Sequence, residues 1–293
     1  MARAKHDSTA TEMMVKATIP PGKEPRVRGW RWTAVATAFL ILFLFPLWLM
    51  ASASLQPGVS SATVQWFPTA PQFDGYGDAL AAGGLGGLLV SLVVSVCAVA
   101  LTLVIAIPAA FALSRLRSRG VSIAMTLLLL AQMIPGVVLT LSFYSMFNSW
   151  GLLNSIVGLV LANCTASIPF AVILMRSFMY GIDTEIMEAA QLDGVGPIGN
   201  LIRIVVPISR NSVITAAVFT FLFTWGDLLF GLTLVTRTEM YPMTVVIFNM
   251  TTSPLNQWAA VMAASLLASI PAFFVVFGLQ RYVKEGVAAG SGK

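Results

Sequence analysis

The chain has 293 residues, of which 57% are hydrophobic and only 10% are charged, and its formal net charge at pH 7 is +5. This composition excludes an ordinary soluble globular protein and is typical of a protein embedded in a membrane. The chain has a single histidine, His6, which lies in the polar segment before the first apolar run. Neither a Ser-His-Asp triad nor a histidine-rich metal centre is therefore expected, and no metal site is predicted.

A polar lead precedes the first apolar run. Residues 1–31 contain seven of the 17 lysines and arginines, and their low apolar content is typical of a disordered segment. The apolar run that follows ends near Ala51-x-Ala53, a pattern that is also found at signal-peptide cleavage sites. The run is longer than the signal-peptide core of about 7–15 residues, which favours a retained membrane anchor. We predict a disordered N-terminal segment over residues 1–31.

Six apolar runs are long enough to cross about 30 Å of hydrocarbon as helices. They are Thr33–Leu55, Leu85–Ser114, Val121–Phe147, Leu152–Phe178, Ser212–Val235 and Trp258–Gln280. They lack the alternation of barrel strands, so the chain is predicted to be an all-α membrane protein with six transmembrane helices in a domain over residues 32–283. Five prolines lie inside these runs, where kinks rather than breaks are expected. These prolines are Pro46, Pro108, Pro135, Pro169 and Pro271.

The distribution of lysine and arginine predicts the orientation in the membrane. Sixteen of the 17 lie before the first run, after the second, beside the segment between the fourth and fifth, or after the last, and Arg237 is the exception. Positive residues accumulate on the cytoplasmic side. Both termini and residues 183–210 are therefore predicted to be cytoplasmic, and residues 236–257 extracytoplasmic. The positive charge reflects topology, and no nucleic-acid partner is expected.

Residues 183–210 form a charged segment between two apolar runs and hold four of the 12 acidic residues. Asp183 or Thr184 is suited to cap a helix, and the Asp193–Gly194 pair is suited to end it. Pro197 favours the first turn of a second short helix, whereas the residue before Pro207 is biased away from helical geometry. The pattern predicts a helix–turn–helix whose mixed polar and apolar faces suit a groove on another protein. The bland alternative is an ordinary cytoplasmic loop.

A specific motif lies within this segment. Glu188-Ala189-Ala190 is followed after three residues by Gly194 and after nine more by Ile204-x-Val206-Pro207. This spacing resembles the EAA signature of the permease subunits of bacterial ABC importers, with Val206 where the family usually has leucine.

The resemblance extends over most of the chain. The stretches "AAFALSRL", "MIPGVVLTLSFYSMFNSWGLLNS", "FTWGDLLF" and "QRYVKEGVAAG" are similar to the maltose-permease G branch of carbohydrate importers, and the whole also looks like the second permease subunit of actinobacterial trehalose-type importers. Gly226 stands where the family often has asparagine, so no polar contact is carried over there. The tail has Gly286-Val-Ala-Ala-Gly instead of Gly-x-Thr-Ala-Gly.

The resemblance implies a type I ABC importer architecture, in which a cytoplasmic coupling helix, here about residues 184–192, docks on an ATPase. It implies a second, different permease subunit, two copies of an ATPase that bind ATP and Mg, and an extracytoplasmic sugar-binding protein or lipoprotein. In this chain, the loop 236–257 would contact the binding protein and the tail 284–293 would reach toward the ATPases. The expected cargo is a di- or oligosaccharide of trehalose or maltose type. The coupling residues implied are Glu185, Glu188, Ala189, Ala190, Asp193, Gly194, Ile204 and Pro207.

This chain itself is expected to bind no cofactor and to catalyse no reaction, because its glycine-rich stretches lack a complete phosphate-binding motif. The resemblance also implies that the chain lies in a bacterial cell membrane, where it would contact lipid. An ion-coupled secondary transporter is the main alternative, and a channel or scaffold is a third class. One carboxylate within the spans and no obvious repeat count against the secondary transporter.

Polar and aromatic side chains inside the spans are the predicted substrate path, because sugars need hydrogen-bond partners and flat aromatic faces. Asp227 is foremost, since an ionisable group in a span is costly unless it faces water or a partner. Each of these side chains could instead pack against a neighbouring helix. The residues are Tyr144, Asn148, Asn163, Trp225 and Asp227.

Overall fold

The computed structural model describes residues 30–58, 64–253 and 258–291. The predicted disorder of residues 1–31 therefore lies almost entirely outside the described residues, as do residues 292 and 293 of the tail. The chain divides into two units, Met1–Trp48 and Leu49–Lys293. All contacts below are within the second unit.

The described part of the chain is helical and contains no strand. In chain order, the helices are α1 (Trp30–Ser54), α2 (Asp74–Ala81), α3 (Gly84–Arg115), α4 (Arg119–Gln132), α5 (Gly136–Trp150), α6 (Ile156–Tyr180), α7 (Thr184–Leu192), α8 (Pro197–Ile208), α9 (Arg210–Trp225), α10 (Leu229–Leu234), α11 (Met243–Thr252) and α12 (Trp258–Ser291). Helix α8 includes a π-helical turn, Leu201–Val205.

Four described helices, α1, α3, α6 and α12, are each long and apolar enough to cross a membrane. Two bent pairs raise the number to as many as six, with α4 and α5 meeting at 92° and α8 and α9 at 80°. The predicted all-α membrane fold is confirmed. The first, second, fourth and sixth apolar runs each correspond to one continuous helix.

One proline breaks a predicted span. Pro46, Pro108, Pro169 and Pro271 lie inside continuous helices, as predicted. The prediction of a kink was wrong for Pro135, which precedes α5 in an extended conformation with ψ 132°. A proline lacks the N–H that would continue the helix, so at this position the run Val121–Phe147 divides into two helices at a steep angle.

The fifth predicted span, Ser212–Val235, is also not one helix. Helix α9 ends at Trp225, and α10 begins only at Leu229. Asp227 therefore lies in the connection, not in the middle of a helix as predicted. Its side-chain Oδ1 accepts a hydrogen bond from the Phe230 N–H at 3.4 Å, which satisfies a donor in the first turn of α10.

Helix α3 is the central element and packs along α6 and against α9. Small buried residues on α3, including Ala98, Ala106 and Ala110, permit close approach of neighbouring helices, as is common inside membranes. Two apolar clusters result. One contains Phe147, Leu159, Phe230 and Leu234, and the other contains Met175, Met179, Met187, Val205 and Ala216.

The predicted extracytoplasmic loop 236–257 is structured in its described part. Its helix α11 packs on α3, where the Met243 N–H donates to Ser91 Oγ at 2.9 Å. Helices α3 and α11 come close together at Gly87, where an added Cβ would lie only 2.9 Å from Val246 Cγ2. Asn154, in the left-handed conformation with φ 56°, accepts hydrogen bonds from the N–H groups of Thr236 and Arg237. These contacts fix both ends of the loop's first half.

Candidate functional site

The charged segment begins with α7, whose observed bounds are the predicted residues 184–192. Gly194 ends the helix in the left-handed conformation, with φ 85°. The Gly194 N–H donates to the Gln191 carbonyl at 3.0 Å and the Val195 N–H to the Ala190 carbonyl at 2.9 Å, which is the Schellman arrangement. At the other end, Asp183 occupies the capping position, but its side chain makes no capping hydrogen bond.

Helix α7 has one buried face and one exposed face. Met187 is 6% exposed and Ala190 9% exposed, whereas Leu192 is 90% exposed. Glu185, Glu188 and Ala189 are also exposed, and with Leu192 they follow the i, i+3, i+4, i+7 spacing of one helix face. This outer face combines two carboxylates with an apolar end.

The buried face connects α7 to the membrane helices. Met187 belongs to the same apolar cluster as Met175 and Met179 of α6 and Val205 of α8. Asn200, only 1% exposed, donates from Nδ2 to the Met187 carbonyl at 3.4 Å. The inner face of α7 is thus packed against α6 and α8.

The second half of the segment, α8, begins with Pro197 in its first turn, as predicted. The prediction for the residue before Pro207 was wrong, because Val206 has helical angles of φ −61° and ψ −47°. A π-helical turn, Leu201–Val205, directly precedes this position, and its wider backbone relieves the clash of the Pro207 ring with the preceding turn. Ile204 is half-buried, and Asp193, Gly194 and Pro207 are exposed.

A cavity of about 270 Å³ lies among α4, α6 and α9. Its lining is Gln132, Ala166, Ser167, Phe170, Phe219, Thr220 and Phe223. The rings of Phe170 and Phe219 are tilted with centroids 5.3 Å apart. Thr220 is 2% exposed and its Oγ1 has no hydrogen-bond partner, which is unusual because buried hydroxyls are normally paired. The cavity thus offers aromatic faces, and the unpaired Thr220 hydroxyl is buried in its wall.

The structure brings two of the predicted path residues together. Asn163 on α6 lies beside the Asp227 carboxylate, and it is four residues from Ser167, whose Oγ donates to the Asn163 carbonyl at 3.0 Å. The Asp227 carbonyl accepts from Thr244 Oγ1 at 2.6 Å. These polar groups extend from the α9–α10 connection toward the cavity.

The other three predicted path residues lie elsewhere. Trp225 is buried, stacks on Phe221 and donates from Nε1 to the Ala268 carbonyl of α12 at 3.0 Å. Tyr144 and Asn148 are exposed on α5. Sequence reasoning missed Gln132, Ser167 and Thr220, although the polar pairs Asn163/Ser167 and Thr220/Thr224, each four residues apart in an apolar helix, are a signal that could have indicated them.

Comparison with known proteins agrees with this geometry. Residues 102–288 match the family described as binding-protein-dependent transport system inner membrane component. The chain belongs to this family. It is thus a multi-pass membrane component of a transport system that depends on a binding protein, and it is not itself an enzyme. The predicted resemblance to ABC importer permeases is confirmed, and the ion-coupled secondary transporter is set aside.

Curated relatives from this family align along nearly their whole length. The diacetylchitobiose uptake system permease protein DasC of Streptomyces coelicolor is 30% identical over 266 residues, covering 89% of this chain and 96% of the relative. The trehalose transport system permease protein SugB of Mycobacterium tuberculosis is 27% identical over 273 residues, covering 91% and 98%.

Solved structures show the same fold. A chain from the crystal structure of a bacterial ABC transporter that imports the acidic polysaccharide alginate superposes with a TM-score of 0.72 at 20% identity, over 89% of this chain and 98% of that chain. A second structure, of an alginate ABC transporter in complex with an alginate pentasaccharide-bound periplasmic protein, gives a TM-score of 0.63 at 16% identity.

Proposed function

We propose that this chain is a permease subunit of an ATP-driven sugar importer, in which it forms half of the translocation path and couples to an ATPase through α7. The observation that carries the coupling is the arrangement of α7. The EAA signature lies on a helix whose inner face is packed into the membrane core and whose outer face is exposed. A helix so arranged can receive force from one partner and transmit it to another.

The exposed face of α7 suits a cleft on an ATPase subunit. Leu192 would enter an apolar pocket, while Glu185 and Glu188 would meet basic or polar groups at its rim. Asp193 and Gly194 would set the exit of the chain from this cleft, and Ala189 would allow close approach. Ala190 faces inward and serves the packing of α7, as the half-buried Ile204 does for α8. The exposed Pro207 would lie on the side that is open to the ATPase.

The complex around this chain would contain a second permease subunit, two copies of the ATPase and an extracytoplasmic sugar-binding protein or lipoprotein. ATP and Mg would be bound by the ATPases. Both termini would be cytoplasmic, in keeping with the distribution of basic residues. The loop 236–257 would then face the binding protein, and its anchored first half would hold the remainder near the path.

The cavity supports a neutral sugar as the cargo. Its volume of about 270 Å³ is near the lower end of small-molecule sites, which begin at about 300 Å³, and a partner subunit would enlarge it. Phenylalanine rings can stack on the flat faces of a sugar, and Thr220, Ser167 and Gln132 can exchange hydrogen bonds with hydroxyl groups. None of the seven lining residues is charged, so the lining does not favour an acidic polysaccharide. The names of the relatives suggest trehalose, diacetylchitobiose and similar small saccharides.

The test is reconstitution of the complete transporter in lipid vesicles, with uptake of radiolabelled trehalose, maltose, diacetylchitobiose and a charged uronic-acid disaccharide. Uptake of at least one neutral sugar that requires both ATP and the binding protein is expected. Glu188→Lys should release the ATPase or reduce uptake by about tenfold or more, because a buried charge mismatch costs several kcal/mol. Gln191→Lys, on the same helix but outside the outer face, is the matched control. Normal uptake in Glu188→Lys, or import of the uronic acid alone, would contradict the proposal.

A further inference from the structure

Two arginines join the ends of α3 and α6 immediately before α7 begins. Arg115, the last residue of α3, donates from Nη2 to the Met179 carbonyl at 2.8 Å and from Nη1 to the Ile182 carbonyl at 3.0 Å. Arg176 on α6 donates in the opposite direction, from Nε to the Leu113 carbonyl at 3.1 Å. We call these three hydrogen bonds the arginine clasp.

The clasp fits the electrostatics of helix ends. The last carbonyls of a helix lack intrahelical partners and carry partial negative charge, so a guanidinium stabilises them. Arginine is suited to this role because its planar fork can address two acceptors at once. Arg115 uses that fork to bridge the last turn of α6, at Met179, and the linker residue Ile182, which is two residues before α7 starts.

We propose that Arg115 is a positioning residue that transmits movement of α7 into α3 during transport. This inference rests on the proposed role of α7 in coupling. Since Ile182 lies at the junction between α6 and α7, displacement of α7 moves its carbonyl, and the guanidinium carries that displacement to the end of α3. Helix α3 packs along both α6 and α9, which line the cavity. The clasp thus connects the coupling helix with the helix at the centre of the fold.

The apolar contacts beneath α7 do not perform this task equally well. Met175, Met179 and Met187 form much of the cluster there, and methionine side chains are flexible and adapt to displacement. Hydrogen bonds from one guanidinium to two backbone carbonyls are directional and hold one geometry. Without the clasp, α7 could move over the methionines while α3 stays in place.

A purely topological role for the Arg115 charge is separable from this one. Arg117 and Arg119 follow within four residues and are exposed, so the positive charge of the loop persists when Arg115 is replaced. Arg115→Met removes both donors of the fork, whereas Arg115→Lys keeps the charge but loses the fork. Arg117→Met removes a charge of the same loop without affecting the clasp.

The experiment measures sugar uptake and ATP hydrolysis by the complete transporter in vesicles, using whichever of trehalose, maltose and diacetylchitobiose the unmodified transporter imports fastest. In Arg115→Met the ATPase should remain bound and hydrolysis should continue, while uptake per ATP falls about tenfold or more, since hydrogen bonds to a charged group each contribute enough for such a factor. Arg115→Lys should not restore the ratio, and Arg117→Met should keep it. Arg176→Met should lower it by a smaller factor, because it removes one hydrogen bond of the three.

Three results would overturn the proposal. The first is an uptake per ATP in Arg115→Lys equal to that of the unmodified transporter, and the second is an equal loss of uptake per ATP in Arg117→Met and Arg115→Met. The third is a loss of hydrolysis or assembly in proportion to the loss of uptake in both Arg115 variants, which would make the clasp structural only. Failure of the coupling role of α7 is distinguished by Glu188→Lys. If that variant retains the ATPase and normal uptake, the docking proposal fails whatever Arg115 does.

Discussion

Replacing Gly194 by alanine tests whether the end of α7 must adopt its observed geometry for coupling. Gly194 has φ 85°, and a Cβ added to it would meet no atom within 4 Å. Alanine therefore introduces no clash, and its whole effect is conformational. A left-handed conformation costs an L-residue about 1–2 kcal/mol, which corresponds to roughly a 5- to 30-fold loss in the population of the observed helix end.

Gly196 provides a matched control two residues away. It also has no atom within 4 Å of an added Cβ, but its φ is −71° and its ψ is 173°, which any residue can adopt. Both glycines are exposed, so the two alanine variants differ mainly in backbone angle. Gly194→Asn is an intermediate case, because asparagine tolerates the left-handed region better than alanine does.

The assay is the affinity of the ATPase subunit for the membrane subunits in lipid nanodiscs, together with ATP-dependent uptake. The affinity for the ATPase subunit should fall by roughly 5- to 30-fold in Gly194→Ala. It should fall less in Gly194→Asn and stay unchanged in Gly196→Ala. Equal behaviour of the two alanine variants would refute the reasoning, since it would mean that the Schellman geometry of Gly194 does not matter to docking.

Two further predictions concern the membrane interior. Thr220→Val keeps the shape of the side chain but removes the unpaired Oγ1, and it should lower uptake several-fold while the complex still assembles. Thr215→Val should leave uptake unchanged, because the Thr215 hydroxyl already donates to the Asn211 carbonyl at 2.7 Å. Trp225→Phe should lower the free energy of unfolding by about 1 kcal/mol, which is the usual contribution of one hydrogen bond. Uptake per assembled complex should stay the same. A large change in sugar preference in Trp225→Phe would show that the indole belongs to the path.

The features predicted correctly from the sequence are those with local causes. The bounds of α7 follow from helix-forming residues and from Gly194, which ends the helix through its own conformational freedom. The presence of several membrane-crossing helices follows from hydropathy, because crossing hydrocarbon requires about 20 apolar residues whatever the neighbours are. These requirements act within one segment of chain and can therefore be recognised in it.

The features that were not predicted depend on the direction in which a helix axis continues, or on contacts with residues far away in the sequence. An apolar run has the same composition whether its helix continues or turns, so the break at Pro135 and the end of α9 at Trp225 could not be distinguished from kinks. At Val206, the local effect of the following proline was overridden by a π-helical turn. A threonine in an apolar helix normally bonds a carbonyl of its own helix, as Thr215 does. The buried Thr220 hydroxyl has no such partner, and the sequence around the two threonines does not distinguish them.

The continuity of α12 determines how far the C-terminal sequence reaches. The helix has 34 residues, Trp258–Ser291, and at 1.5 Å per residue it is about 51 Å long. About 30 Å of that length suffices to cross the hydrocarbon of a bilayer. In an upright helix that starts at the membrane surface, the remaining 20 Å or so projects beyond the hydrocarbon as a stiff rod. Residues 284–291 of the tail are then held at defined heights and angles, so each residue added or deleted in this stretch turns the rest of the helix by about 100°.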